Sequence, residues 1–304
     1  MTIKAGSAAA SLRDSRQRAI HVVAAFFLLP ALVFLAVYVI YPIIDSFITS
    51  TLRWNIQRGN KSFIGIGNWK NLIGDGHFWK AFVNNIKIMF LSLVFQVPFA
   101  MALATFLDVT GKKGSVFKVV WFLPYLLSSV AIGVLFKFAL SASDGIITSI
   151  SRLLGGTEID LLGNPAAALY TVVGVVCWQY IPFYMVLYLA AYGTIPVELY
   201  EAASIDGAAR GQYFWKVSLP LLRPTVISGM TLSIIGSLKY FDLIYVMTGG
   251  GPGTSTELMA TYMFRTSFVR FNGGYGATVA SGMFILITLA ALIVITTLNR
   301  KTEL

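Results

Sequence analysis

Six runs of predominantly apolar residues constrain this chain more than any motif does. They fall near 22–44, 82–107, 117–138, 166–190, 225–247 and 277–298. A helix crosses the ~30 Å hydrocarbon core with about 20 residues at ~1.5 Å each, and each run is long enough to do so. Strands of a membrane barrel alternate polar and apolar over about ten residues, whereas these runs are continuous. Only 12% of the 304 residues are charged, against about 25% in soluble domains. The expected fold is therefore all-α and polytopic, with six transmembrane helices. The first run outlasts the apolar core of a signal peptide and ends in YVIYPIIDSF rather than a small-residue cleavage site. It reads as a retained span.

An even number of spans puts both termini on one side of the membrane. That side collects Lys4, Arg13, Arg16, Arg18, Lys112, Lys113, Lys118, Arg210, Lys216, Arg223, Arg300 and Lys301. The other side holds Arg53, Arg58, Lys61, Lys70, Lys80, Arg152, Arg265 and Arg270, spread over longer loops. The positive-inside rule makes the first side cytoplasmic. The organisation that follows is a cytoplasmic segment 1–21, a first helix with its outer loop over 22–80, a five-helix core over 81–298 and a cytoplasmic tail 299–304. Inside the core, 195–220 is a cytoplasmic connection. The formal charge of +10 sits in loops beside spans, where positive-inside bias and anionic lipid account for it without nucleic acid.

The loops carry no catalytic or metal chemistry. Cys177 stands alone inside a span, and His21 and His77 fall in different compartments. Neither a disulfide framework nor a thiolate cluster is available, and HExxH, GxSxG and CxxC are absent from the sequence. The stretch GGGPGTST imitates a phosphate loop but lacks the lysine before its hydroxyl residue. The outer loop 45–81 carries Trp54, Trp69 and Trp79, suited to the membrane interface. DVTGKKGSV at 108–116 reads as a tight inner turn, and a short helix is expected around 144–154. ELMATYMFRTSFVRF reads as partly amphipathic or re-entrant.

The polar connection EAASIDGAARGQYFWKVSLP, residues 201–220, is unusual in so apolar a chain. Thr194-Ile195-Pro196 offers a capping hydroxyl and a proline for a helix start. VELYEAASI follows, with Glu198 and Glu201 in the early turns. Gly207 breaks the helix, AARGQYFWKVS begins a second piece, and Pro220 and Pro224 lead into the fifth span. Taken by itself, this helix–turn–helix is either a docking bracket or an ordinary amphipathic connection.

The segment resembles the signature of permease subunits of binding-protein-dependent ABC importers. That signature is Glu-Ala-Ala, three residues, Gly, nine residues, then Ile-x-Leu-Pro. Here it is carried by Glu201, Ala202, Ala203, Gly207, Val217, Leu219 and Pro220, with Asp206 and Ala208 matching its fuller form. Valine at 217 is the one departure. WFLPYLLSSVAIGVLFKF, IGIGNWKNLI and YFDLIYVMTGGGPGTSTELMATYMFRTSF resemble sugar-importer permeases of the maltose, lactose and glycerol-3-phosphate type. The glycine–proline stretch points to the first of their two dissimilar permease subunits. The resemblance implies a bacterial inner-membrane protein of the MetI-like fold, paired with a second, homologous permease. Two copies of a cytoplasmic ATPase would bind the brackets and hold ATP and magnesium, none of it on this chain. An extracytoplasmic solute-binding protein would deliver a sugar or related polyol. The chain itself would not be an enzyme.

Polar residues inside spans are costly and tend to line a cavity or to pair. The second span carries Asn84, Asn85, Lys87 and Gln96, the fourth Trp178, Gln179, Tyr180 and Tyr184, and the fifth Ser233, Ser237, Lys239, Tyr240 and Asp242. A sugar is held by aromatic faces together with amide or carboxylate partners, so Gln179, Tyr180, Tyr240 and Asp242 are the candidate pathway residues. Lys239 and Asp242 could instead neutralise one another on one helix face. An ion-coupled secondary transporter would also use broken helices and buried ionisable groups, and would work without an ATPase. It is the alternative reading.

Overall fold

The computed structural model describes residues 23 and 25–299. The expected segment 1–21, with Lys4, Arg13, Arg16 and Arg18, lies outside the described residues, as do Arg300 and Lys301 of the tail. The first span is α1 (Ala25–Ser50). A small hairpin follows, β1 (Leu52–Trp54) against β2 (Lys61–Phe63), antiparallel with Arg53 opposite Ser62. Then come α2 (Gly67–Ile73), the long span α3 (Gly76–Thr110), α4 (Ser115–Leu126) and α5 (Ser129–Ala139). Beyond them lie α6 (Ile146–Leu153), the span α7 (Ala168–Tyr192) and the short α8 (Val197–Ile205). The rest is α9 (Arg210–Ser237), α10 (Asp242–Thr248), α11 (Met259–Phe264) and the last span α12 (Gly273–Asn299).

Four expected spans are single helices, but the third and fifth are broken. The third is α4 and α5, bent by 94° at residues 127–128. The fifth stops at Ser237 and resumes as α10 after an irregular stretch, 238–241. Lys239 therefore lies in the break and Asp242 opens the next helix, so they share no helix face, and they form no salt bridge with each other. The distal halves α5 and α10 pack together at Gly133, where an added Cβ would sit 3.0 Å from Val246. Proline alone does not break a span. Pro98 lies inside α3, and Pro182 is buried inside an uninterrupted α7, because neighbouring groups in a bundle accommodate the lost N–H.

The main core lies where α3 crosses α7. Ile88, Ala100 and Ala104 of α3 meet Val172, Val176, Met185 and Tyr188 of α7, all fully buried. Alanines at such a crossing let backbones approach closely, which is how helices associate in lipid. A second core, with Leu72, Phe78, Ile234, Met259 and Val279, closes the hairpin end of the bundle. There the hairpin is laid onto the start of α12 by the bridge between Asn55 and Asn272. The approach is close enough that a Cβ on Gly274 would meet the Leu52 carbonyl oxygen at 2.0 Å, so only glycine fits.

Candidate functional site

Two assemblies stand out: a bracket between α7 and α9, and a polar–aromatic junction at the two breaks. In the bracket, Thr194 does not cap α8 as expected. Its hydroxyl donates to the Ala191 carbonyl at 2.8 Å and so closes α7, while Pro196 takes the N-cap position. The end of α8 is a full Schellman motif. Gly207 adopts φ +71° and donates to the Ser204 carbonyl at 3.1 Å, and Ala208 donates to the Ala203 carbonyl at 2.9 Å. A side chain at 207 would strain that left-handed conformation by roughly 1–2 kcal/mol. The chain then turns at once into α9, where the Gln212 side chain accepts the Ala209 N–H at 3.0 Å. The second helical piece is thus continuous with the fifth span, with Pro220 and Pro224 inside the helix. Tyr200 and Tyr213 meet edge to face at 5.3 Å and tie the two arms together.

None of the nine residues of α8 is buried. Glu201, Ala202, Asp206 and Gly207 are exposed, Ala203 and Ala208 are half-buried, and Ile205 is 86% exposed. Leu219 is half-buried and Pro220 exposed on α9. The helix thus ends in a closed Schellman motif while leaving most of its own residues exposed.

The second assembly gathers three of the four pathway candidates. Gln179 is buried, and its Nε2 donates to Ser129 Oγ at 3.1 Å and to the Leu127 carbonyl at 3.5 Å, bracing the break in the third span. Its Oε1 is buried without a partner. The ring of Tyr180 lies 5.4 Å from Tyr240, at the break in the fifth span, and 6.1 Å from Tyr125, beside the break in the third. Asp242, the fourth candidate, is exposed in the first turn of α10. Behind the aromatics Gln96 accepts from Ser233 at 2.9 Å while its Nε2 stays unpartnered. The junction therefore offers aromatic faces and unspent amide groups where two membrane helices lose their regular backbone.

Sequence reasoning missed a polar clasp at the hairpin end. Asp75 caps α3, accepting from the N–H groups of His77 and Phe78 at 2.9 and 3.4 Å. Its other oxygen accepts from the hydroxyls of Tyr262 and Tyr275, each at 2.5 Å. Burial alone would raise the Asp75 pKa, but these four donors outweigh it and hold the carboxyl below its ordinary value. Burial and the bond to Asp75 push the Tyr262 phenol up to about 12. Asp before GHFWKAF is an N-cap signal, readable in principle. Its long-range tyrosine partners are not.

The glycine-rich stretch is held alongside. Asn84 Nδ2 donates to the carbonyls of Thr254 and Glu257, and Asn85 bonds both the Leu238 carbonyl and the Met259 N–H. Arg265 donates to the Gly249 carbonyl, and its Nη1 lies 3.2 Å from Glu257 Oε1. Burial raises the Glu257 pKa, offset in part by Arg265 and more weakly by His77 and Arg270. The second-span amides thus tie a loop to the bundle.

An all-α bundle with two broken spans and a rigid, unburied helix between its fourth and fifth spans is a multi-pass membrane transport subunit in form. Residues 88–304 match the family described as "Binding-protein-dependent transport system inner membrane component", and the chain belongs to that family. It is the permease subunit of an ATP-driven ABC importer that works with a solute-binding protein. Among its relatives is the "Probable ABC transporter permease protein YurN" of Bacillus subtilis, 32% identical over 87% of this chain and 91% of that one. The "Trehalose/maltose transport system permease protein MalF" of Thermococcus litoralis is 29% identical over 86% of this chain and 88% of that one. The fold is shared with a solved bacterial ABC transporter "involved in the import of the acidic polysaccharide alginate". That match has a TM-score of 0.81 at 23% identity and covers 95% of this chain and 99% of that one.

Proposed function

We propose that this chain is the first of two dissimilar permeases in a bacterial inner-membrane importer for a sugar or related polyol. In this reading both termini and α8 face the cytoplasm, and α8 seats in a groove on an ATPase subunit that carries ATP and magnesium. One observation carries the coupling role: α8 is capped at its end, pinned by Tyr200 to Tyr213, and buries none of its own residues. Because α9 is continuous from Arg210 into the membrane, only the closed turn at 206–209 separates α8 from the fifth span. Glu201, Ala202, Ala203, Asp206, Gly207 and Ala208 form the seated part, with Leu219 and Pro220 on the arm.

The break junction is the proposed sugar pathway. Discontinuous helices commonly mark where a membrane transporter meets its solute. Tyr180 and Tyr240 supply ring faces, the free Gln179 Oε1 accepts a hydroxyl, and Asp242 receives solute at the mouth. The trehalose and maltose system named among the relatives supports a carbohydrate as cargo.

The test is co-purification of the tagged chain from its host, wild type against Glu201→Ala. The expected result is a second permease and an ATPase with the wild type, and reduced ATPase recovery with the variant. Recovery of the chain alone, under conditions that keep other membrane complexes intact, would overturn the proposal.

A further inference from the structure

A groove of about 750 Å³ runs between the bracket end of α3 and the first turns of α9. Its walls are Val97, Met101, Phe106 and Val109 on one side and Phe214 and Leu219 on the other, with Arg210 at one end. We propose that it holds an acyl chain of an anionic phospholipid from the cytoplasmic leaflet, with the headgroup on Arg210. The proposal rests on the cytoplasmic placement of the bracket given above.

The dimensions favour a lipid chain. From Val97 to Val109 the helix rises about 18 Å, close to the ~15 Å depth of one leaflet. Apart from Arg210, Thr105 and the Trp215 indole the lining is apolar, so it suits an acyl chain and offers a sugar few hydrogen-bond partners. Thr105 is the one hydroxyl in the lining, and it is spent on the Met101 carbonyl at 2.8 Å and Tyr192 at 2.7 Å. A one-sided hollow of about 500 Å³, lined by α9 alone, lies beside the first across a ridge of Trp215, Leu219 and Val226. The second chain of the phospholipid would lie along it.

The charge also fits. Arg210, Lys216 and Arg223 are exposed along α9 and form no salt bridges among the described residues. Asp108, which lines a neighbouring hollow with Arg210, does not pair with it. Trp215 is 69% exposed on the ridge between the grooves, where an indole anchors at the lipid–water boundary. A lipid seated here bridges α3 to the root of the bracket and steadies the arm that carries it.

The test is native mass spectrometry of the assembled complex released from nanodiscs of phosphatidylcholine containing some phosphatidylglycerol. Wild type is expected to retain phosphatidylglycerol in preference to phosphatidylcholine. Arg210→Gln is expected to lower that preference about five-fold, the worth of one cation near an anionic headgroup. Ala102→Phe, which fills the groove, is expected to remove the adduct altogether. A photo-reactive residue at Val109, in native membranes and an otherwise wild-type chain, should cross-link lipid. Equal retention of both lipids by wild type, adducts unchanged in both variants, or cross-linking of Val109 to a polypeptide would overturn the proposal. Lipid occupancy is read without transport, so a failed assignment of cargo leaves this test intact.

Discussion

At the scale of single residues the hairpin end turns on Asp75, where one carboxylate joins three elements. It caps α3 and accepts from a tyrosine of α11 and a tyrosine of α12. Hydrogen bonds to a charged acceptor are worth about 1.5–3 kcal/mol each at most, so Asp75→Asn, which keeps the shape but removes the charge, is expected to destabilise by about that much. The pH dependence has a definite sign. The folded carboxyl titrates below its ordinary value of 3.8, so its contribution is present above that value and is lost as pH falls through the folded one. Glu257 acts oppositely: its raised pKa favours the fold below the ordinary value of 4.5, and that contribution fades as pH rises through the folded value. Thermal midpoints of wild type and Asp75→Asn, measured from neutral pH into the acid range, should converge as Asp75 protonates. Curves that stay parallel would remove Asp75 as the charged hub.

At the scale of elements the breaks decide what the bundle can do, and they were the least legible part of the sequence. Hydropathy places four spans to within about six residues at each end: 166–190 against Ala168–Tyr192, but 82–107 against Gly76–Thr110. The runs 117–138 and 225–247 are just as apolar, so apolarity alone drew two straight helices. At the 94° turn at 127–128 the cross-bundle partner is Gln179, fifty residues from Ser129, which donates to Ser129 and to the Leu127 carbonyl. A pattern of apolar residues cannot report such a partner. The bracket was readable for the contrary reason, since its glycine closes a local Schellman motif. Thr194 was misassigned because a hydroxyl two residues before a proline can as well end one helix as begin the next. If Gln179 braces the break, Gln179→Ala should remove its bonds to Ser129 and the part-buried Leu127 carbonyl and destabilise the complex by about 0.5–1.5 kcal/mol. Tyr180→Ala should instead weaken half-saturation for the cargo with little change in thermal midpoint. Equal effects of the two on stability would deny the division of labour.

At the scale of the whole molecule the first span is the least enclosed of the long helices among the described residues. Helix α1 is 26 residues long, about 39 Å at 1.5 Å per residue. Among the described residues only its second half is held: Ser46 bonds Ser281 at 3.1 Å, and Phe47 packs on Trp69 and Phe284. The first half buries nothing, with Phe26 and Phe34 at 75% and 65% exposure. Lipid tails are as apolar as these side chains, so no hydrophobic force directs them to a partner, and packing must do so. Four aromatic rings, Phe26, Phe27, Phe34 and Tyr38, stand exposed over residues 26–38. The expected occupant is the second permease, crossed by α1 as an arm. A photo-reactive residue at Phe34 in native membranes should join this chain to that permease, while one at Phe47 should cross-link within the chain. Lipid adducts alone at Phe34, in membranes where the bracket still recovers its ATPase, would make α1 a free anchor and put the permease pairing elsewhere on the bundle.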